Sequence, residues 1–475
     1  MNKGFCFLIK YKKRQIFRRF LKDIRRADME WLNKYIFGAG VPLFLFLAAI
    51  MLLIKLRGKP LIHPVKMIRS MFKKKEGAGV SPIAAVLLAL AGTLGVGNIV
   101  GVASAIAMGG AGAVFWMWVS AIMAMMLKYA EVLLAVLHRR VRGGEYYGGA
   151  MYYMRDFFAS CKKYGMGLIF AGIFALLCII NACGMGCVIQ SNAISEAFYG
   201  IIGFPKLAIG AVVAALSALV FFGKGKRIFS VTEKLVPAVS VLYFVMAAIV
   251  IGSSIERVPQ VFSDIISDAF RVESAAGGFF GFFLSKALRF GTIRGLLSNE
   301  AGCGTAPIAH ASSSTDSPAE QGFLGILEVF IDTIVLCTMT ALVILLNWNR
   351  AEKFADNPIM MTFSAFSAVL GRTSELLLCI SVFLFAFATI ICWGYYGKEC
   401  IYYFSKKKSA RNVYFAIYVL LALLGAIIPL DFLWGITDLA IGVMTLMNIF
   451  VLWALRGEVK AETEKYFSKS RKKDL

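Results

Sequence analysis

An apolar segment running from about Gly79 to Met108 is broken near its middle by Gly95-Val96-Gly97-Asn98-Ile99-Val100-Gly101. Helix-weakening glycines and an amide side chain at that depth of a bilayer are costly unless the backbone lines a cavity or a packed protein interior. A second apolar region, Leu288 to Ile308, reads LRFGTIRGLLSNEAGCGTAPI and is punctuated in the same way. Two interrupted membrane helices, one early in each half of a chain, are the arrangement by which secondary transporters build a site at the bilayer midplane.

The rest of the chain supports a membrane solvent. With 59% hydrophobic residues, 17% charged residues and a mean hydropathy of +0.73 over 475 residues, it lies far outside the soluble range. Apolar segments fall near 35–54, 79–108, 112–137, 165–199, 205–223, 233–252, 275–312, 321–347, 374–403, 411–429 and 431–455. These predict an all-α polytopic membrane protein of about eleven transmembrane helices.

A net charge of +23 invites a nucleic-acid reading, which its distribution excludes. Basic residues concentrate in alternate loops: Arg57 to Lys75, Arg139 to Lys163, Lys224 to Arg227, Lys406 to Arg411, and Lys460 to Lys473. The intervening loops carry little net positive charge; Gly109 to Gly112 has none, and several acids between Glu256 and Glu273 offset Arg257 and Arg271. The positive-inside rule therefore puts the C-terminus in the cytoplasm and, with an odd number of spans, the N-terminus outside. The expected partner is the lipid bilayer, not nucleic acid, and the location is the inner (plasma) membrane of a bacterium.

Residues 1–28 violate this pattern, carrying nine Lys and Arg residues from Lys10 to Arg26 on what would be the outer side. No apolar core follows those charges before a small-residue cleavage site, so a signal peptide does not explain them. The reading adopted is an untranslated basic extension with the start at Met29; the alternative is inversion of the first span.

Soluble-enzyme signatures are missing from the sequence. There is no GxxxxGK[ST] loop, and Gly95 to Gly101 spaces its glycines as GxGxxxG without a βαβ setting. His63, His138 and His310 are scattered, which suits loop or helix-end roles better than a metal site. The ten cysteines form no CxxC pair and mostly lie in apolar segments, as packing residues. No enzyme activity and no cofactor are expected.

The run GNIVGVASAIAMGGAGAVFWMWVSAIMAMMLKYAEVLLA from Gly97 to Ala135 resembles the alanine or glycine:sodium symporter family, the AGCS amino-acid carriers. So do GLLSNEAGCGTAPIAHASSSTD from Gly295, VFIDTIVLCTMTALVILL from Val329, VIQSNAISEAF from Val188 and FAFATIICWGYYGKEC from Phe385. The likeness covers nearly the whole chain after Met29. It implies a LeuT-like fold of two inverted five-helix repeats, about 79–252 and 275–455. One extra helix with its basic loop (29–78) would precede them, and a basic cytoplasmic tail (456–475) would follow.

A break near Gly95 to Gly97 leaves N-terminal amides of the second half-helix unpaired, a partial positive charge suited to a substrate carboxylate. Gly97 permits close approach to that backbone, Val96 sits beside it, and Asn98 is the nearest amide side chain. Carbonyls around Ala91 and Gly92, freed at the end of the first half-helix, suit the hard cation Na⁺. The resemblance adds Gln190 as a substrate partner, Thr389 as a hydroxyl for the sodium shell, and Trp393, one helical turn later, as a wall of the pocket. For the second break, either Gly291 with Gly295 or the cluster Asn299, Glu300, Gly302 and Gly304 could contain the unwound point, and the stretch containing Gly291, Gly295 and Ser298 is preferred for substrate contact. Asn299 and Glu300 then brace the inner half-helix. A structural Glu300 paired with Arg294 or Arg289 is an equal alternative, and Asp332 stands the same way. Lys128 and Glu131, three apart, read as a helix-surface pair with heads at the interface.

Two departures from the family pattern each remove one oxygen. Val96 replaces the threonine of the common GTGN form, and Ala388-Thr389 replaces a pair of hydroxyls. The function expected is sodium-coupled symport of a small neutral amino acid, alanine or glycine first. A proton-coupled transporter of the same fold, with Glu300 or Asp332 carrying the proton, is the runner-up.

Overall fold

A computed structural model describes residues 40–64, 68, 79–223, 227–271 and 286–471. The basic segment 1–28, the Met29 start and the beginning of the second proposed repeat lie outside the described residues. In chain order the first helices are α1 (Val41–Lys55), α2 (Pro82–Thr93), α3 (Gly97–Gly109) and α4 (Gly112–Leu137). A two-stranded hairpin, β1 (Arg140–Arg142) and β2 (Glu145–Tyr147), and a short helix, α5 (Ala150–Ser160), follow. Next come α6 (Tyr164–Ile202), α7 (Lys206–Phe221), α8 (Arg227–Gly252) and α9 (Val258–Ala269). The second half holds α10 (Lys286–Asn299), α11 (Ala306–His310), α12 (Pro318–Leu346), α13 (Pro358–Leu370) and α14 (Arg372–Phe404). It closes with α15 (Lys408–Gly425), α16 (Asp431–Ala454) and α17 (Arg456–Arg471).

Among the described residues six helices are individually long and apolar enough to cross a membrane, and the bent pair α2–α3 counts as a seventh if taken as one span. The four remaining apolar segments of the sequence correspond to the shorter or broken elements α1, α7, α10–α11 and α15. Hydropathy alone did not separate out α9 and α13, which are too short to span.

Helices α4 and α14 form the interior, and α6, α8 and α15 present apolar side chains outward. Leu168, Ile169, Val241 and Ile249 are each more than half exposed, the surface that lipid covers. The hairpin turn uses Gly143 (φ 57°) and Gly144 (φ 75°), the two positive-φ positions that a two-residue turn of this hand needs. At the same end of the molecule the starts and ends of the two broken regions are tied together. The Val80 N–H donates to the Ser312 carbonyl (2.9 Å), and the Ser314 N–H donates to the Val80 carbonyl (2.7 Å).

Candidate functional site

The first break is built by local sequence. Ser81 caps α2, its hydroxyl accepting from the Ala84 N–H at 3.2 Å, and Pro82 fits the first turn where no donor is needed. The helix stops at Thr93. Leu94 leaves helical backbone (φ −75°, ψ 68°), Gly95 N–H turns back to the Thr93 carbonyl (2.8 Å), and the axis swings by 53° before α3 begins. Beyond the turn, Asn98 N–H donates to Gly95 O, and Ile99 and Val100 donate to Val96 O. The Val96 and Gly97 amides are left as the orphan donors of a helix start. Gly97 is exposed, and a Cβ placed there would meet no atom within 4 Å. Open space thus lies beside the turn on the side-chain side of Gly97, while Val96 is half-buried.

Helix α14 closes the other side of the break. The buried Thr389 hydroxyl donates toward the Ala91 carbonyl (3.0 Å) and the Phe385 carbonyl (3.1 Å). A Cβ on Gly95 would lie 2.9 Å from Thr389 Oγ1 and 3.5 Å from Gln190 Oε1, so only glycine lets this backbone approach both side chains. Gln190 donates to the Met185 carbonyl at 3.3 Å, across the π-helical turn Gly184–Val188, and its buried Oε1 has no protein partner. Trp393 is fully buried one turn along α14, against Gly186 of that π-turn and 5.5 Å from the Tyr396 ring. Of the residues expected at sodium, Ala91 and Thr389 meet directly. On its side-chain side Gly92 faces Cys392 Sγ and Tyr396, where the missing side chain lets α2 lie against α14.

Asn98 and Ser298 are joined through a third residue. Asn98 Nδ2 donates to Asp332 Oδ1 (2.8 Å), and the Ser298 and Thr333 hydroxyls donate to Asp332 Oδ2 (2.9 and 2.8 Å). Asp332 sits on a π-helical stretch of α12, Phe330–Cys337, and is wholly buried. Its carboxylate fixes one side chain from each broken region. An acid in the middle of an apolar span was the available signal for it, and the sequence did not reveal which partners it would hold.

Of the two clusters that could hold the second unwound point the later one does, and three expectations are corrected. Helix α10 stays continuous through Gly291 to Ser298, and the chain unwinds afterwards, at 300–305, where Glu300 (φ 52°), Gly302 (φ 83°) and Gly304 (φ 78°) take left-handed backbone. Gly291 and Gly295 do not face the first break. A Cβ at 291 would strike the Ala113 backbone and Trp116, and one at 295 would strike Ser120 and Met117, so the two glycines let α10 press against α4 in the small-xxx-small manner of membrane helices. Lys128 and Glu131 are not at the interface, because α4 is enclosed by α10 and α12. Lys128 Nζ pairs with Glu328 Oε1 (3.2 Å), both wholly buried, and His310 bridges Glu328 (2.9 Å) and Gln321 (2.9 Å). Glu131 accepts from the Gly304 N–H (3.0 Å) and from Asn448, which also donates to the Gly302 carbonyl (3.0 Å). Glu300 accepts from the Thr305 hydroxyl (2.8 Å) and pairs with neither Arg294 nor Arg289; Arg294 donates to Ser104 (3.2 Å). The unwound segment is thus held by side chains of α4 and α16.

Among the described residues no cluster of His, Cys, Asp or Glu could hold a metal ion, and the nine described cysteines are free. Oxygen donors of Thr389 and Ala91 suit an alkali cation rather than a transition metal.

A sequence model of the Sodium:alanine symporter family matches residues 22–475. An uncharacterized transporter of Haemophilus influenzae is 36% identical over 92% of this chain and 95% of its own length. The sodium/alanine symporter AgcS of Methanococcus maripaludis is 34% identical over 93% of this chain and 97% of its own. Among solved structures, that of MhsT in complex with L-phenylalanine matches with a TM-score of 0.52 at 14% identity, over 82% of this chain and 93% of that one. The last likeness shows the LeuT-like fold.

Proposed function

The chain belongs to the sodium:alanine symporter family, and from that premise we propose that this membrane transporter carries a small neutral amino acid, alanine or glycine first, inward with Na⁺ by alternating access. The observation that carries the reading is the break at Gly95 to Gly97. Orphan amides and open space lie on one side of it, and the Thr389 hydroxyl meets the Ala91 carbonyl on the other. The substrate carboxylate would sit against the Val96 and Gly97 amides at the start of α3. The unpartnered Gln190 oxygen would take the substrate ammonium, and Trp393 would back the pocket. Na⁺ would sit between Ala91, Gly92 and Thr389, within a few ångströms of the same break, so that each ligand stabilises the turn the other needs. Ser298 and Asn98 would close the outer side, held by Asp332.

The proposed arrangement has repeats at 79–252 and 275–455, the C-terminus in the cytoplasm and the inner membrane of a bacterium as location. A proton-coupled variant of the same transport draws on Asp332, buried beside Asn98. Uptake into proteoliposomes from a panel of amino acids, with either a sodium or a proton gradient imposed, tests both. Sodium-driven uptake of alanine or glycine supports the first reading; uptake indifferent to sodium and driven by an inward proton gradient replaces it.

A further inference from the structure

Away from the transport path, the β1–β2 hairpin, α5 and the end of α14 enclose a cavity of about 80 Å³ whose wall contains Arg140, Arg142, Arg155 and Lys406. Tyrosines complete the wall, Tyr147 stacked on Tyr402 (4.2 Å between rings) and Tyr152 edge-on to Tyr403. No carboxylate lines it among the described residues. Asp156 lies behind, bound to Arg140 (2.6 Å) and within 3.5 Å of Arg155, and Glu145 is occupied by the Tyr147 hydroxyl (2.8 Å). The positive charge of Arg142 and Lys406 is therefore left to the cavity. The Tyr403 hydroxyl is buried without a partner, as is Nε of Arg411, whose guanidinium lies 5.9 Å from the Tyr402 ring. Buried donors with nothing to bind are uncommon in folded proteins and mark a missing acceptor.

The cavity adjoins the lipid-facing surface. Phe404, directly after Tyr403, is 54% exposed and lies along α6 beside Gly172, next to the outward-pointing Leu168 and Ile169. The charge pattern makes this the end of the molecule that meets the anionic leaflet.

We propose that this cavity binds the phosphate of an anionic phospholipid headgroup, with the acyl chains running along α6 and Phe404. Arginine forks and tyrosine hydroxyls supply the donors that phosphate oxygens accept from. Free phosphate shares that chemistry; the adjoining apolar face favours the lipid.

The test uses the full chain purified in detergent and native mass spectrometry with added dioleoylphosphatidylglycerol, dioleoylphosphatidylcholine or inorganic phosphate. One phosphatidylglycerol should be retained roughly tenfold better than phosphatidylcholine. The double variant Arg142→Gln/Lys406→Gln should lose roughly tenfold of that retention. Lys465→Gln/Lys469→Gln, which removes the same charge from the exposed face of α17, should not. Equal retention of the two lipids, or equal loss in both double variants, overturns the site as a specific one. Complete displacement of the lipid by millimolar inorganic phosphate overturns the lipid and assigns the cavity to a free anion.

Discussion

Position 97 separates binding from folding. Gly97→Ala adds a methyl group where the structure has no atom within 4 Å and where backbone φ is not positive, so the fold should accept it. Stability should change by no more than about 1 kcal/mol, and toward greater stability, since alanine restricts the unfolded chain. The same methyl projects into the open space beside this turn, where the proposed carboxylate would sit. Pushing a carboxylate off one such donor forfeits a hydrogen bond to a charged group, about 1.5–3 kcal/mol, or roughly 10- to 100-fold in affinity. Gly97→Leu should abolish binding while remaining folded. Gly95→Ala is the contrasting case. Its Cβ would lie 2.9 Å from Thr389 Oγ1 in a closed interior, so overpacking should destabilise the protein by about 1–3 kcal/mol. The assay is equilibrium binding of radiolabelled alanine and glycine at saturating sodium, paired with thermal unfolding of the same purified samples. Wild-type affinity in Gly97→Ala would move the carboxylate away from this break, and equal destabilisation by the two substitutions would refute the packing argument.

If Thr389 is the remaining hydroxyl ligand, Thr389→Ala should raise the sodium concentration for half-maximal uptake about tenfold or more, and Ala388→Thr should lower it; unchanged sodium dependence in both variants would remove the hydroxyl from the shell. Amino-acid affinity should shift in the same sense at limiting sodium, because coupling is reciprocal. Lys128→Met should destabilise the protein by about 3–5 kcal/mol by stranding Glu328 in the interior, and Lys128→Met/Glu328→Gln should recover much of that in thermal melts. Asp156 is half-buried, which alone would raise its carboxyl, but hydrogen bonding to His138 together with the Arg140 and Arg155 charges holds it below the ordinary aspartate range. Its stabilisation is therefore complete above the unfolded value of about 3.9 and lost as pH falls through the lower folded value. Melting temperatures of wild type and Asp156→Asn should differ at pH 6 and converge in acid, once pH has fallen through the depressed folded value; a gap that persists in acid would show that the charge is not what matters.

Hydropathy and glycine placement sufficed to show a polytopic helical membrane protein with its first break at Gly95 to Gly97, because a bilayer tolerates irregular backbone in so few settings. Motif resemblance reached the family and proposed Thr389 opposite Ala91. Pairings across the bundle were out of reach. A glycine in an apolar helix reads the same whether it unwinds the chain or admits a neighbour, and only the packing of α4 against α10 assigned Gly291 and Gly295 to the second use. Lys128 and Glu131 looked like a surface pair because local spacing cannot reveal that α10 and α12 cover both sides of α4, nor that Glu328 and Asn448 arrive from some two hundred or more residues away to receive them. Asp332 was visible as an anomaly, yet its role as the link between Asn98 and Ser298 exists only once the two broken regions stand side by side. Local propensity and solvent preference act within a helix length and are written in the sequence. Partners for buried polar groups are chosen by whichever distant segments the fold brings within hydrogen-bonding distance, and only the tertiary structure decides them.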